Sequence, residues 1–166
     1  MLRTVLAAAL ATALVGLAIP VVDDARVGRS DRAVRAEIAA LDRAADSLVA
    51  ADEVTPGPGA RRTVGLSLPE SSWSAAGVEF LTIRDGTEPD SHGRSTVVYR
   101  LDGGRERRVR LDAPLSPPGD ELRIDGGGRH RIVLSLVRVD GTRAIRVHRE
   151  RADRRVSASS PRGMPV

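Results

Sequence analysis

The segment RIVLSLVRV, residues 131–139, is the longest run in the chain in which apolar residues recur at every second position. One side of the extended chain holds Ile132, Leu134 and Leu136, and the other holds Val133, Val137 and Val139. This alternation predicts a β-strand, because successive side chains of a strand point to opposite faces of the sheet. Leu134 is expected midway along it.

The same period of two recurs in shorter runs on both sides of this segment. The alternating residues are Val64, Leu66 and Leu68; Val78 and Phe80; Val97, Tyr99 and Leu101; Val109 and Leu111; Leu122 and Ile124; and Ile145 and Val147. Asp-Gly pairs follow three of the runs, at 102–103, 125–126 and 140–141, and such pairs supply the positive φ of tight hairpins. Residues 62–149 are therefore predicted to form an antiparallel β meander of about seven short strands.

The core of this domain is expected to be thin. Aromatic residues make up 2% of the chain, namely Trp73, Phe80 and Tyr99. A core without large rings relies on Val, Leu, Ile and Ala, which supply less area per residue. That supply suits a single sheet with a helix on one face better than a two-sheet sandwich.

A helix is predicted over residues 23–54, with a linker at 55–61. Ser30 or Asp31 can cap it, and TPGPG at 55–59 ends it. Apolar residues recur at spacings of four and three, which marks one face of a helix: Val34, Ile38, Leu41, Ala45 and Leu48. This stripe fits a helix lying on a sheet, and a coiled-coil seam is the alternative.

Thr4–Val22 contains no charged residue, and its 19 residues are enough to cross a bilayer. We expect a retained N-terminal transmembrane anchor over residues 1–22, in contact with membrane lipid. The fold class is then α+β, and the protein is single-pass at the cell membrane with an extracytoplasmic C-terminal domain. A cleaved signal, with small residues at 11–13 and 16–18, and a buried helix are the alternatives.

All 26 basic residues are arginine, and the net charge is +4. The positive excess lies at the C-terminus, where 150–166 is predicted to be a basic, disordered tail. Contact with an acidic surface is the alternative interpretation of this tail.

No catalytic or metal-binding pattern stands out, so we expect a protein that is not an enzyme and uses no cofactor. The chain has no cysteine, and His92, His130 and His148 lack metal-ligand spacing. Arginines at alternate strand positions fit a solvent-facing surface: Arg108, Arg110, Arg129, Arg131 and Arg146. This pattern argues against nucleic-acid binding, because aromatic platforms are missing beside these arginines.

The stretch GLAIPVVDD, residues 16–24, resembles a type IV pilin or pseudopilin. Those proteins have an apolar N-terminal helix that contains a proline, a polar continuation of that helix, and an antiparallel sheet wrapped on it. Pro20 matches the position of that proline. The layout also resembles small uncharacterised membrane-anchored proteins of halophilic archaea. The chain lacks the leader with a glycine cleavage site, and Ala8 lies where many pilins have glutamate.

The resemblance implies a structural subunit of a pilus-type or secretion-type assembly, which self-associates or binds protein partners through its N-terminal helix. The packing residues that it implies are Pro20, Val34, Ile38, Leu41 and Leu48. A membrane-tethered binding or accessory protein with an unknown partner is the alternative function, and an exported enzyme is a third.

Overall fold

The computed structural model describes residues 2–51, 60–85, 94–139 and 142–150. Its description of side chains excludes residues 2, 8, 11–22, 51, 138–139 and 142–143. The predicted linker at 55–61 lies mostly outside the described residues, as do residues 151–166 of the predicted tail.

A single helix, α1, occupies Leu2–Ala51. It passes through the predicted cap, so Ser30 is a buried residue inside the helix and caps nothing. The prediction of two separate helices is therefore wrong.

In the described part of the chain, no helix combines the length and the apolar character that crossing a membrane requires. This finding contradicts the predicted transmembrane helix over residues 1–22 and the predicted single-pass localisation at the cell membrane. Beyond residue 22 the same helix continues through charged residues, beginning with Asp23 and Asp24.

Eight strands form two four-stranded sheets. They are β1 (Arg61–Leu68), β2 (Val78–Arg84), β3 (Thr96–Leu101), β4 (Arg107–Arg110), β5 (Leu115–Ser116), β6 (Glu121–Asp125), β7 (Gly128–Val139) and β8 (Thr142–Arg149). The first sheet has the order β1-β7-β8-β5, and the second has the order β4-β3-β2-β6. All neighbours are antiparallel except β5 and β8, which are parallel.

The order of the strands corrects the predicted meander and the predicted single sheet. Asp102-Gly103 joins β3 to β4, which pair with each other, so this turn closes a hairpin. Asp125-Gly126 instead joins β6 of the second sheet to β7 of the first. Gly103 and Gly126 both have positive φ, 69° and 78°. The same turn chemistry thus serves a hairpin in one place and a crossing between sheets in the other.

One continuous core joins the apolar stripe of α1 to the inner faces of both sheets. The stripe residues of α1 are all buried: Val34, Ile38, Leu41, Ala45 and Leu48. Leu66 and Leu134 of the first sheet and Leu81 and Tyr99 of the second belong to the same core. The helix therefore lies on the sheets of its own chain.

Phe80 lies on the outer face of the second sheet and is absent from this core. The register of β2 against β3 shifts between Val78 and Phe80, which reverses the alternation expected there. Phe80 is nevertheless buried, because the guanidinium carbons of Arg123 and Arg100 lie 4.3 Å and 5.0 Å from its ring centroid. Arginine side chains thus cover an aromatic ring that the core does not use.

Candidate functional site

Large apolar side chains that the structure both describes and exposes occur in two places. Val5, Leu6 and Leu10 lie on α1, with 67%, 71% and 63% of their surfaces accessible. Trp73 lies between β1 and β2 and is 89% accessible. We call residues 2–22 the arm of α1 and residues 69–77 the Trp73 loop. Exposed apolar residues that lie close together, as Val5, Leu6 and Leu10 do on α1, commonly mark contact surfaces.

The Trp73 loop is held against α1 where the arm meets the rest of the helix. Arg26 Nη2 donates to the carbonyl oxygens of Ser72, at 2.5 Å, and Ala75, at 3.3 Å. Arg29 Nη1 donates to the Ser74 carbonyl oxygen at 3.2 Å. The two arginines therefore hold the main chain on both sides of Trp73 while leaving its ring in solvent.

A second set of contacts holds the base of this loop. Asp102 accepts hydrogen bonds from the Ser71 hydroxyl and, at 3.2 Å, from the Gly77 amide. The Val78 amide donates to the Pro69 carbonyl oxygen at 3.0 Å, which closes the loop. A Cβ at Gly77 would lie 2.7 Å from Asp102 Oδ2 and from Ser71 N, so no larger residue fits there. The loop is thus fixed at its base as well as beside α1.

Asp31 connects α1 to the second sheet. It accepts hydrogen bonds from the Tyr99 hydroxyl and from Arg35 Nε at 3.0 Å, and Arg107 Nη1 of β4 lies 2.5 Å from it. Burial raises the pKa of Asp31, but these three donors outweigh it and place the pKa below 3.8. Burial, then the Asp31 carboxylate, raises the pKa of Tyr99 to about 12. Hydrogen bonds and ion pairs of Asp31 therefore link α1 to strands β3 and β4.

Asp42, which directly follows Leu41 of the buried stripe, connects α1 to the segment between β4 and β5. Its carboxylate accepts the amides of Asp112, at 3.1 Å and 3.2 Å, and of Ala113, at 3.1 Å. Burial raises the pKa of Asp46 nearby, and the carboxylates of Asp42 and Asp112 raise it further. Among the described residues, no group of three or more His, Cys, Asp or Glu is arranged to hold a metal ion.

The structure separates the histidines that pairing could have brought together. His130 lies on the inner face of β7, opposite Leu66, and is buried. His148 lies opposite Val133, on the outer face. Burial lowers the pKa of His130 and the Arg149 guanidinium lowers it further, although the backbone of Gly126 and Gly127 acts in the opposite direction. His92 lies outside the described residues.

The outer face of the first sheet is basic. Arg61 and Arg146 flank Ser135 in one row across β1, β7 and β8, and Arg129 and Arg131 lie further along β7. All four arginines are exposed, and the described outward side chains of these three strands include no acidic residue. Arg108 and Arg110 of the second sheet are exposed as well.

The predicted packing residues fall into two groups. Val34, Ile38, Leu41 and Leu48 lie together in the core of the chain. Pro20 lies within α1, and its side chain is outside the described residues.

Sequence reasoning missed Trp73. Its signal was a lone tryptophan in a Ser- and Ala-rich stretch, SSWSAAG, that has no alternating pattern to place it in a core.

Comparison with known proteins gives one finding about the family. No curated protein matches the chain, and no solved structure matches it. The family model described as "Domain of unknown function (DUF7311)" matches residues 1–150. Since this match spans most of the 166 residues, the chain belongs to the DUF7311 family.

Proposed function

We propose that this protein is a non-catalytic structural subunit, similar in layout to a pilin, that associates with other copies through the arm of α1. The observation that carries the proposal is the different use of the two halves of one helix. The C-terminal half of α1 buries its stripe in the core, whereas Val5, Leu6 and Leu10 of the arm are exposed.

The contacts of α1 support this division. The side chains that tie α1 to the loops and sheets include Arg26, Arg29, Asp31 and Asp42. All four lie in the part of the helix that follows the arm. Covering exposed leucines with a partner is favourable, and it stabilises the contact by about 25 cal/mol per Å² of apolar area buried.

Sedimentation velocity on the full chain over a range of concentrations tests the proposal. We expect association that grows with concentration in the wild type. Replacing Leu6 and Leu10 together by glutamate should abolish it, because burying two unpaired carboxylates is unfavourable.

The matched control replaces two exposed arginines of the first sheet, Arg129 and Arg131, by glutamate, which changes charge without touching the arm. This variant should associate as the wild type does. A wild type that stays monomeric at every concentration, or an arm variant that associates normally, would contradict the proposal.

The basic face of the first sheet favours a second candidate, a binding or accessory protein whose partner is acidic. Arg61, Arg129 and Arg146 offer three cations on one surface, and Arg131, which pairs with Glu150 at 3.8 Å, is a fourth. We expect retention on an acidic polypeptide matrix that weakens as salt rises. Retention that survives reversal of Arg129 and Arg131 to glutamate would place the binding elsewhere.

A further inference from the structure

We propose that the Trp73 loop of one copy is the docking site for the arm of the next copy. The inference rests on the proposed function and adds the surface that receives the arm. It assigns the contact to two different patches of the same chain, so the association is head to tail.

The first ground is preorganisation. Trp73 is exposed although its loop is fixed by Arg26 and Arg29 on one side and by Asp102 on the other. A rigidly held ring loses little conformational freedom when a partner covers it. Tryptophan is also the residue type most often found to dominate the energy of protein contacts.

The second ground is that Trp73 and the arm of the same chain are too far apart to cover each other. Arg26 lies 16 residues after Leu10 on the same helix, which is about 24 Å along the axis at 1.5 Å per residue. Because Arg26 and Arg29 hold the Trp73 loop at their own level, Trp73 is far from Val5, Leu6 and Leu10 of its own arm. Covering these apolar groups with each other requires a second copy.

The third ground is area. An arm about 30 Å long that buries one face of a cylinder roughly 10 Å across removes about 300–400 Å² from water on each partner. Trp73 supplies about 150–250 Å² of the share contributed by the loop. The total over both partners is then about 600–800 Å², in the range of weak and transient contacts. The area therefore suits a contact that forms at high local concentration.

A contact between two unlike patches has a further consequence. Each added copy uses one arm and one Trp73 loop and leaves one of each free. Such a contact gives an open filament when successive copies are offset along one axis, and a ring when the rotation between copies closes. With neighbouring helices parallel, successive copies are offset by about 24–35 Å along α1, since residues 6–10 of one meet the level of residues 26–29 of the next.

Disulfide trapping tests the docking directly, because the chain has no cysteine of its own. Ala9→Cys places a thiol on the arm beside Leu10, and Ser72→Cys places one beside Trp73; both positions are exposed. The two full-length single variants are mixed and oxidised. We expect a mixed dimer of the two variants, and little dimer of either alone.

Asp120→Cys serves as the matched control for the loop position, because it is exposed and lies outside the Trp73 loop. It should give no mixed dimer with Ala9→Cys. Trp73 is also the chain's single tryptophan, so fluorescence reports it alone. Emission should shift to shorter wavelength as the wild type associates, and Trp73→Ala should weaken association at least tenfold with an unchanged urea midpoint.

The outcomes separate the two proposals. Association in which Ala9→Cys pairs only with itself, with no shift in Trp73 emission, overturns the docking site and leaves arm-mediated association standing. Absence of any association in the wild type overturns the proposed function and the docking site together.

Discussion

Leu134 has no exposed surface and lies opposite Arg62 of β1 and Val147 of β8. Leu134→Ala should lower the free energy of unfolding by about 2–4 kcal/mol, because it removes buried methyl groups and leaves a cavity. Urea denaturation measures this loss. Arg129→Ala, on the outer face of the same strand, should stay within about 0.5 kcal/mol of the wild type. An unchanged midpoint for Leu134→Ala would show that β7 is peripheral to the core.

His130 should make stability depend on pH. Its folded-state pKa lies below the ordinary 6.5, so the unfolded chain binds the proton more readily. The contribution is present at neutral pH and is lost as pH falls below about 6.5. His130→Leu should flatten the dependence of the unfolding free energy between about pH 7.5 and 5.5. His148→Leu, on the outer face, is the control and should leave that dependence in place.

Tyr99 should make the free energy of unfolding fall as pH rises in the alkaline range. Its pKa is raised to about 12 from 10.0, so its contribution to stability is complete below pH 10.0 and is lost as pH rises towards 12. Tyr99 is the chain's single tyrosine, and absorbance of tyrosinate therefore follows it directly. Tyr99→Phe should cost about 1–2 kcal/mol at neutral pH, because Asp31 keeps Arg107 and Arg35. A titration midpoint near 10 in the folded chain would contradict the buried hydrogen bond to Asp31.

Individual residues were predictable where one periodicity held over a long run. The spacing of four and three placed the five stripe residues of α1 on one face, and the alternation in β7 separated Leu134 from the outer face. Phe80 was assigned to the wrong face, because a local register shift leaves no mark in a run of only two alternating residues. Trp73 was missed, because period-based reasoning does not detect a residue whose contacts come from a loop.

At the scale of elements, α1 is one helix with two environments. Charged residues after Val22 continue the helix because their apolar neighbours at 34–48 gain a sheet to pack on. The sequence indicated both halves. The apolar character of the arm favoured a membrane anchor in the sequence, but apolar side chains suit a protein surface equally well.

Removal of residues 1–22 should leave the rest of the chain folded with a thermal midpoint within a few degrees of the full chain. Arg26, Asp31 and Asp42, which tie α1 to the loops and sheets, lie beyond the arm, and Asp23 and Asp24 at the new helix start interact favourably with its dipole. Calorimetry of both chains measures the difference. A large drop would mean that the arm packs on its own domain.

Pairing of strands was the least predictable level. The alternating pattern shows which face of a strand is apolar, but it does not show which other strand lies beside it. β1 pairs with β7, whose residues lie 60 to 74 positions later in the chain, and this distant pairing places β1 and β2 in different sheets. Turn chemistry gave no help at Asp125-Gly126, where the chain crosses between sheets. The existence of most strands was therefore predictable, and their order was not.

At the scale of the whole molecule, the helix packs on both sheets and connects them. The stripe fills the centre, Asp31 fastens α1 to the second sheet through Tyr99 and Arg107, and Glu37 accepts the Ser67 amide of the first sheet at 3.2 Å. A thin core thus becomes sufficient, because one element contributes to the packing of both layers.

The continuity of α1 also determines how the molecule would bear mechanical load. A pull on the arm runs along the helix axis into the segment that lies on the sheets. The ties at Arg26, Asp31 and Asp42 are spaced along that segment, so they share the force in shear and are not peeled apart one after another. Tension on a filament of such subunits would therefore be borne by several side-chain contacts in each subunit at once.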